Sequence, residues 1–244
     1  MPLIQTKSRP AMVKPAFTLV ELLVVIAIIS ILMTAGSIGL SGIGGKGVTS
    51  GVANAEALFS EARTTAVGKN LRACVLVAKS LTNNRENDLR RIIVAYEETE
   101  KDATKPNFGQ AKNPNSATPN WELSSRGAVL PEQTYFSSKL SKKDHTAGSG
   151  DVETIAHSRI VGAKATFQGT YYIYEFNSQG ICKTPGASFI VGSGAKRANA
   201  TEPVVTSSGK RDFGGFIIWR NGGTSLFRSP DQISTSLPST GNSF

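Results

Sequence analysis

The sequence contains few of the residues that bind metals or form catalytic centres. Its 244 residues include two histidines and two cysteines, with no Cys-x-x-Cys or His-x-x-x-His spacing. Because a protein metal site needs several clustered ligands, we expect neither a metal nor a cofactor. The Gly-x-Ser-x-Gly turn of the serine hydrolases is also missing, and His145 and His157 lie in or near polar stretches. We therefore expect a protein that is not an enzyme.

Acidic residues are absent before the first apolar run, whereas three basic residues, Lys7, Arg9 and Lys14, precede it. The run extends from Phe17 to Leu40 with few interruptions, and the first charge after it is Lys46. About 20 apolar residues span a bilayer as a helix. Since basic residues favour the cytoplasmic side, we expect a single span with the N-terminus in the cytoplasm and the C-terminal bulk outside.

One carboxylate, Glu21, lies near the beginning of this apolar run. A charged side chain at the middle of a bilayer costs about 2.5–3.5 kcal/mol on insertion scales, so we expect Glu21 to have a partner. A paired buried charge is much less costly than a lone one. The simpler alternative is that Glu21, so close to the start of the helix, reaches the membrane interface by itself.

This segment resembles the processing site of type IV pilins and of type II secretion pseudopilins. In that family a prepilin peptidase cuts before a Phe-Thr-Leu-x-Glu core and methylates the new amino terminus. The matching residues are Phe17, Thr18, Leu19, Val20 and Glu21. The resemblance implies cleavage between Ala16 and Phe17, N-methylation of Phe17, and a pair between that amine and Glu21 of a neighbouring subunit. Ala16 replaces the glycine usual in the family, which implies less efficient cleavage.

Two other interpretations of the apolar run stay open. An ordinary secretory signal peptide would need a small-residue cleavage site, for which residues 34–36 are a poor candidate, and a plain single-pass anchor would need none. The family resemblance instead implies a prepilin held in the bacterial inner membrane, with a periplasmic or extracellular domain, and later assembled into a filament. Its implied partners are the lipid bilayer, prepilin peptidase, an inner-membrane assembly platform and other pilin-like subunits.

The chain divides into five predicted segments. They are a basic leader that is removed (1–16), a transmembrane and assembly helix (17–41), a linker and amphipathic helix (42–69), a globular β-rich domain (70–228) and a flexible tail rich in serine, threonine and proline (229–244). From Val52 to Lys69 apolar residues recur at spacings of three and four, which is typical of an amphipathic helix. The stripe consists of Ala55, Leu58, Phe59, Ala62 and Ala66.

After residue 70 the pattern changes to short runs of strand-forming residues between polar turns. The predicted strands are 73–78, 91–97, 170–176, 187–191, 215–219 and 224–228; a new segment starts at 121–123, and 127–130 leads to 134–136. The polar stretches 99–120 and 137–153 predict loops. This order predicts an α+β fold, with a long N-terminal hydrophobic helix, half transmembrane and half amphipathic, packed on an antiparallel β-sheet or β-sandwich. It resembles the order found in the H-type minor pseudopilins.

The chain is basic, with a formal net charge of +9. The basic pairs in predicted loops, which could contact an anionic ligand, are Lys142-Lys143, Lys196-Arg197 and Lys210-Arg211. They are scattered and lack the interleaved aromatic residues of single-strand binders, so solvated surface is favoured over nucleic-acid binding. The other two candidates are Cys74 and Cys182: in the oxidising compartment reached by export, either a disulfide or two buried free thiols can result.

Together these features predict a structural subunit of a type II secretion pseudopilus or a type IV pilus-like filament. The long polar loops favour a minor subunit. The alternative is a membrane-anchored or pilus-tip module that binds DNA or a secreted cargo.

Overall fold

The computed structural model describes residues 20–28, 43–198, 200–207 and 212–244, and it divides into two compact units, Met1–Gly42 and Ile43–Phe244. In the first unit, residues 20–28 form helix α1, whose large apolar side chains are mostly exposed. Among the described residues, no helix combines the length and the apolar character needed to cross a membrane. The rest of the predicted helix 17–41 lies outside the described residues, so a long hydrophobic helix packed on the domain stays a prediction.

The second unit begins with helix α2 (Ile43–Lys69), one face of which lies in the core. All five residues of the predicted apolar stripe are buried on this face. The helix begins before Val52 because Val48 and Val52 extend the same stripe by one further turn. It ends at Lys69, and the following Asn70 has a left-handed φ of 52°, which asparagine tolerates after a helix.

The strands form two main sheets and one hairpin, which together with α2 give the expected α+β class. The seven-stranded sheet has the order β8-β10-β1-β2-β3-β9 with β4 beside β2, the four-stranded sheet has the order β13-β12-β11-β5, and β6 pairs with β7. The strands are β1 (Ala73–Leu81), β2 (Arg91–Glu97), β3 (Trp121–Leu123), β4 (Ala128–Val129), β5 (Thr134–Phe136), β6 (Lys142–Asp144), β7 (Ser149–Asp151), β8 (Thr154–Ala156), β9 (Ile160–Val161), β10 (Gly169–Phe176), β11 (Ser188–Ser193), β12 (Phe213–Ile218) and β13 (Thr224–Leu226).

The pairings are antiparallel apart from β3 with β9, which is parallel. The loop predicted for residues 137–153 is corrected in part, because this stretch contains the hairpin β6-β7. Both strands of the hairpin are polar, so no apolar alternation marks them in the sequence. The pairing depends on backbone hydrogen bonds and on an ion pair in which Lys142 Nζ lies 3.0 Å from Asp151 Oδ1.

The central strands are buried on both faces. In β1, Ala73, Val75 and Val77 face a large core shared with α2 and the four-stranded sheet, whereas Cys74 and Leu76 face a smaller second core. Burial on both faces explains why this strand appears in the sequence as an uninterrupted apolar run.

Phe59 of α2 lies at the centre of the larger core. Its ring makes edge-to-face contacts with Tyr174 and Phe176 of β10 and with Phe189 and Phe216 of the four-stranded sheet, at centroid distances of 5.1 to 6.3 Å. One helical side chain therefore contacts aromatic residues of both main sheets.

The C-terminal segment differs from the flexible tail that its composition predicts for residues 229–244. Ile233 and Phe244 are buried in the larger core, and the Phe244 ring lies 5.0 Å from that of Phe213. Ser243 also forms a backbone bridge with Val204. The segment is polar in overall composition, but its apolar residues Ile233 and Phe244 reach the core.

Candidate functional site

The N-terminal candidate site is described only in part. Glu21 lies in α1 and is exposed. Ala16, Phe17, Thr18 and Leu19 lie outside the described residues, so the cleavage, methylation and pairing assigned to them stay predictions. Large apolar side chains are exposed at successive positions around α1: Val20, Leu22, Leu23, Val24, Val25, Ile26 and Ile28. A helix that is apolar on all sides suits an apolar environment or a bundle of helices.

The first basic pair considered as an anion contact, Lys142-Lys143, largely neutralises acidic residues of the domain itself. Lys142 pairs with Asp151, and Lys143 Nζ lies 2.6 Å from Glu153 Oε1. Lys183 bonds Glu175 at 3.0 Å and lies 3.9 Å from Glu153. These lysines lie in a local network of both signs, which weakens any attraction for an external anion.

Lys196 cannot serve as an external contact, which corrects that prediction. Only 7% of its side chain is exposed, and its ammonium group bonds Asp88 Oδ2 at 3.0 Å and the Arg85 carbonyl oxygen at 3.3 Å. Burying a cation requires such partners, and the sequence shows no sign that a lysine beside an exposed Arg197 would point inwards. Residues 210 and 211, the third pair, lie outside the described residues.

The loop that joins β2 to β3 is held by ion pairs that sequence analysis did not find. Lys112 Nζ bonds Glu98 Oε1 at 2.7 Å, and Lys105 Nζ bonds Glu100 Oε2 at 2.7 Å. These bonds lower the pKa of both carboxyl groups below their ordinary value. The carboxylates are largely buried and the lysines exposed, so the loop folds back on its own base.

The two cysteines are buried free thiols, so the disulfide alternative is corrected. Cys74 faces the smaller core, whereas Cys182 faces the larger one. Cys182 forms a bridge with Phe176, and Phe176 pairs with Ala73. Because neighbouring residues of a strand point to opposite faces, the sheet separates the two sulfur atoms. Burial raises the pKa of both thiols.

A surface groove runs between α2 and the hairpin β12-β13. It contains two cavities of about 320 and 360 Å³. Thr224 donates a hydrogen bond to Glu56 Oε1 at 2.6 Å across it, and the side chain of Leu226 lines it while half exposed. Within the described part of the chain, no cluster of three or more His, Cys, Asp or Glu residues could hold a metal ion.

Comparison with known proteins identifies the N-terminal segment. The family model described as the prokaryotic N-terminal methylation motif matches residues 14–37. No curated protein and no solved structure gives a significant match to the chain. Residues 14–37 therefore carry the methylation motif of type IV pilins and pseudopilins, which indicates a prepilin-like substrate of a type IV pilus or type II secretion system.

Proposed function

We propose that this protein is a structural subunit, of the minor class, in a type II secretion pseudopilus or a type IV pilus-like filament. The observation that carries the proposal is the methylation motif at residues 14–37. Exposed apolar side chains around α1 support it, because such a helix needs lipid or other helices around it. The order of one helix followed by strands supports an H-type minor subunit. The long ion-paired loop 98–112 also favours a minor subunit.

Glu21 would guide assembly through the new amino terminus. Cleavage after Ala16 by prepilin peptidase creates an α-amino group on Phe17, which N-methylation keeps basic. In a bundle of apolar helices, that ammonium group of one subunit pairs with the Glu21 carboxylate of its neighbour. Such a pair contributes little net stability once desolvation is counted, but it fixes the axial register of the two helices.

The proposed path runs from membrane to filament. Before assembly the chain is a single-pass protein of the inner membrane with a cytoplasmic N-terminus and a periplasmic or extracellular domain. The assembly platform then transfers the cleaved subunit into the filament, where other pilin-like subunits replace the lipid around its N-terminal helix.

The first test is the mass of the mature N-terminus in the membrane fraction. We expect a chain that begins with N-methylated Phe17. A chain that begins near Ser37 would indicate an ordinary signal peptide, and an uncut Met1 would indicate a plain anchor. Either result would contradict the filament proposal.

The second test separates assembly from processing. We expect a Glu21→Ala protein to be cleaved and methylated but absent from the sheared filament fraction. Glu61→Ala is the matched control, because Glu61 is an exposed acidic residue of α2 outside the motif. Normal assembly of the Glu21→Ala protein would contradict the role given to Glu21.

The alternative, a membrane-anchored or pilus-tip module for DNA or a secreted cargo, has one supporting observation. The groove beside Leu226 opens onto the core and could accept an apolar side chain of a cargo protein. DNA has less support, since Lys142 and Lys143 pair with acidic residues and Lys196 is buried. Salt-sensitive retention of DNA that disappears in a Lys143→Ala, Arg197→Ala double variant would favour the DNA module.

A further inference from the structure

A small polar pocket opens beside the end of β1, next to the buried pair of Asp88 and Lys196. Its volume is about 110 Å³. Basic and hydroxyl side chains share its wall: Lys79, Ser80, Arg85, Ser138, Tyr172 and Thr201. Amine, guanidinium and hydroxyl groups can all donate hydrogen bonds, so the wall is rich in donors.

Two cations at this pocket lack an acidic partner. Lys79 and Arg85 form no ion pair with any described residue, whereas the two acidic residues of the wall, Asp88 and Glu202, are paired with Lys196 and Lys139, each at 3.0 Å. The pocket therefore keeps an excess of positive charge.

The backbone beside the pocket departs from regular structure in two places. In the pairing of β1 with β10, Ala78 lies opposite Tyr171 and Ser80 opposite Thr170, so Lys79 is the extra residue of a β-bulge. The bulge leaves Lys79 and Ser80 both exposed on the pocket side, although alternation would turn one of them away.

The second departure is Leu89, which lines the pocket with a φ of 60°. This conformation is unfavourable for a bulky side chain. It is held by a hydrogen bond from the Leu89 N–H to the Ala78 carbonyl and by one from the Phe136 N–H to the Leu89 carbonyl, both 2.7 Å. Strained backbone of this kind tends to occur at binding sites, where neighbouring contacts hold it in place.

The side chain of Lys79 is also positioned before any ligand arrives. Its ammonium group lies 5.4 Å from the centre of the Tyr172 ring, within the range of a cation–π contact. Tyr172 is itself largely buried, so it provides a fixed platform. A cation held in this way loses less side-chain entropy when it binds an anion.

We propose that this pocket binds a tetrahedral oxyanion, phosphate or sulfate, as the free ion or as the terminal group of a small molecule. Lys79 and Arg85 supply the charge, and the hydroxyl groups of Ser80, Ser138 and Thr201 donate to the remaining oxygens. The volume accommodates one such group. The site requires nothing of the N-terminal segment, so it is independent of the filament function.

The test uses the full chain in non-ionic detergent and inorganic phosphate as the probe. Ligand binding to the folded state raises the unfolding temperature, so we expect a saturable rise with phosphate and sulfate that chloride at equal ionic strength does not produce. Lys79→Ala and Arg85→Ala should each weaken binding by about tenfold or more, since each removes a charge-assisted hydrogen bond. Lys79→Arg should retain most of the affinity.

Lys164→Ala is the matched control, because Lys164 is exposed, forms no ion pair among the described residues and does not line the pocket. It should bind phosphate like the parent chain. The unfolding temperature of each variant without phosphate shows whether the fold is intact. Equal effects of phosphate and chloride, or parental binding by folded Lys79→Ala and Arg85→Ala proteins, would overturn the proposal.

A second arm identifies the source of the oxyanion. If glycerol 3-phosphate competes with phosphate in the parent chain but not in Arg85→Ala, the pocket accepts a phosphate ester such as a lipid headgroup. If only the inorganic ions bind, the site takes the free oxyanion. Binding of neither the ions nor the ester contradicts the assignment.

Discussion

The two units of this protein differ in the exposure of their large apolar side chains. In α1, large apolar residues such as Val20 and Leu22 are more than half exposed. In the described part of the second unit, the exposed large apolar side chains are scattered: Val67, Phe108, Trp219 and Leu226. Scattered exposure is normal for a domain that completes its own core, whereas continuous exposure indicates a segment that depends on its surroundings.

The same two regions differ in whether comparison with known proteins finds a match. The methylation motif is defined by particular residues at consecutive positions, so residues 14–37 are identified by their sequence. The domain needs only apolar residues at the right period, a condition that very many sequences satisfy. The family motif is therefore found in the segment of which only residues 20–28 are described, and no curated protein or solved structure matches the chain.

The largest effect should come from truncating Phe59. We expect Phe59→Ala to lower the free energy of unfolding of the second unit by about 3–5 kcal/mol, because the side chain is fully buried among four aromatic rings. Urea unfolding followed by the fluorescence of buried Trp121 measures it. Val67→Ala, at an exposed position of the same helix, should change it by less than about 0.5 kcal/mol.

That variant also tests whether the two regions are independent. In the proposed function, the peptidase acts on the N-terminal segment and not on the domain, so we expect the Phe59→Ala protein to be cleaved and methylated even where its domain is partly unfolded. Loss of cleavage would show that the peptidase depends on the folded domain. That result would contradict the independence of the two regions.

The next effect concerns the buried pair of Asp88 and Lys196. Asp88 accepts hydrogen bonds from Lys196 Nζ and from the Leu81 N–H, so Asp88→Ala leaves a buried cation without its carboxylate partner. We expect a loss of about 3 kcal/mol or more. Adding Lys196→Met should recover part of that loss, because it removes the unpaired charge. If the double variant is no more stable than Asp88→Ala, the unpaired cation is not the cause.

The sequence predicts the parts of the fold that apolar pattern alone decides. The stripe centred on Phe59 predicts α2, and uninterrupted apolar runs predict β1 and β2, because burial selects residues at a fixed period. The hairpin β6-β7 is missed because polar strands lack that period. Burial of Lys196 and the bulge at Lys79 are missed because they depend on contacts between residues far apart in the chain.

A smaller effect follows from the loop between β2 and β3. The pKa of Glu98 is held below its ordinary value of 4.5 by hydrogen bonds from Lys112 and Asn120. A carboxyl group with a lowered pKa stabilises the folded chain above its ordinary pKa, and this contribution is lost as the pH falls through the folded value. We therefore expect the free energy of unfolding to decrease below about pH 4.5.

Lys112→Ala removes the main cause of that shift and should flatten the decrease. Its effect at neutral pH should be small, as for a partly exposed ion pair. Urea midpoints measured at neutral pH and at about pH 3.5 give both quantities. A parental pH profile in Lys112→Ala, with Lys164→Ala as the charge control, would assign the acid sensitivity to other carboxyl groups.

The smallest effect should come from changing Lys143, for which the sequence and the structure indicate different partners. The basic pair predicts a contact with an external anion, whereas the structure bonds Lys143 to Glu153 with both side chains 45% exposed. Exposed pairs contribute little, so Lys143→Ala should change the free energy of unfolding by less than about 0.5 kcal/mol at moderate salt. A DNA- or phosphate-binding defect in this stable variant would mean that Lys143 serves a ligand as well as Glu153. Unchanged binding would leave it, like most lysines of the domain, as a solvated partner of a nearby carboxylate.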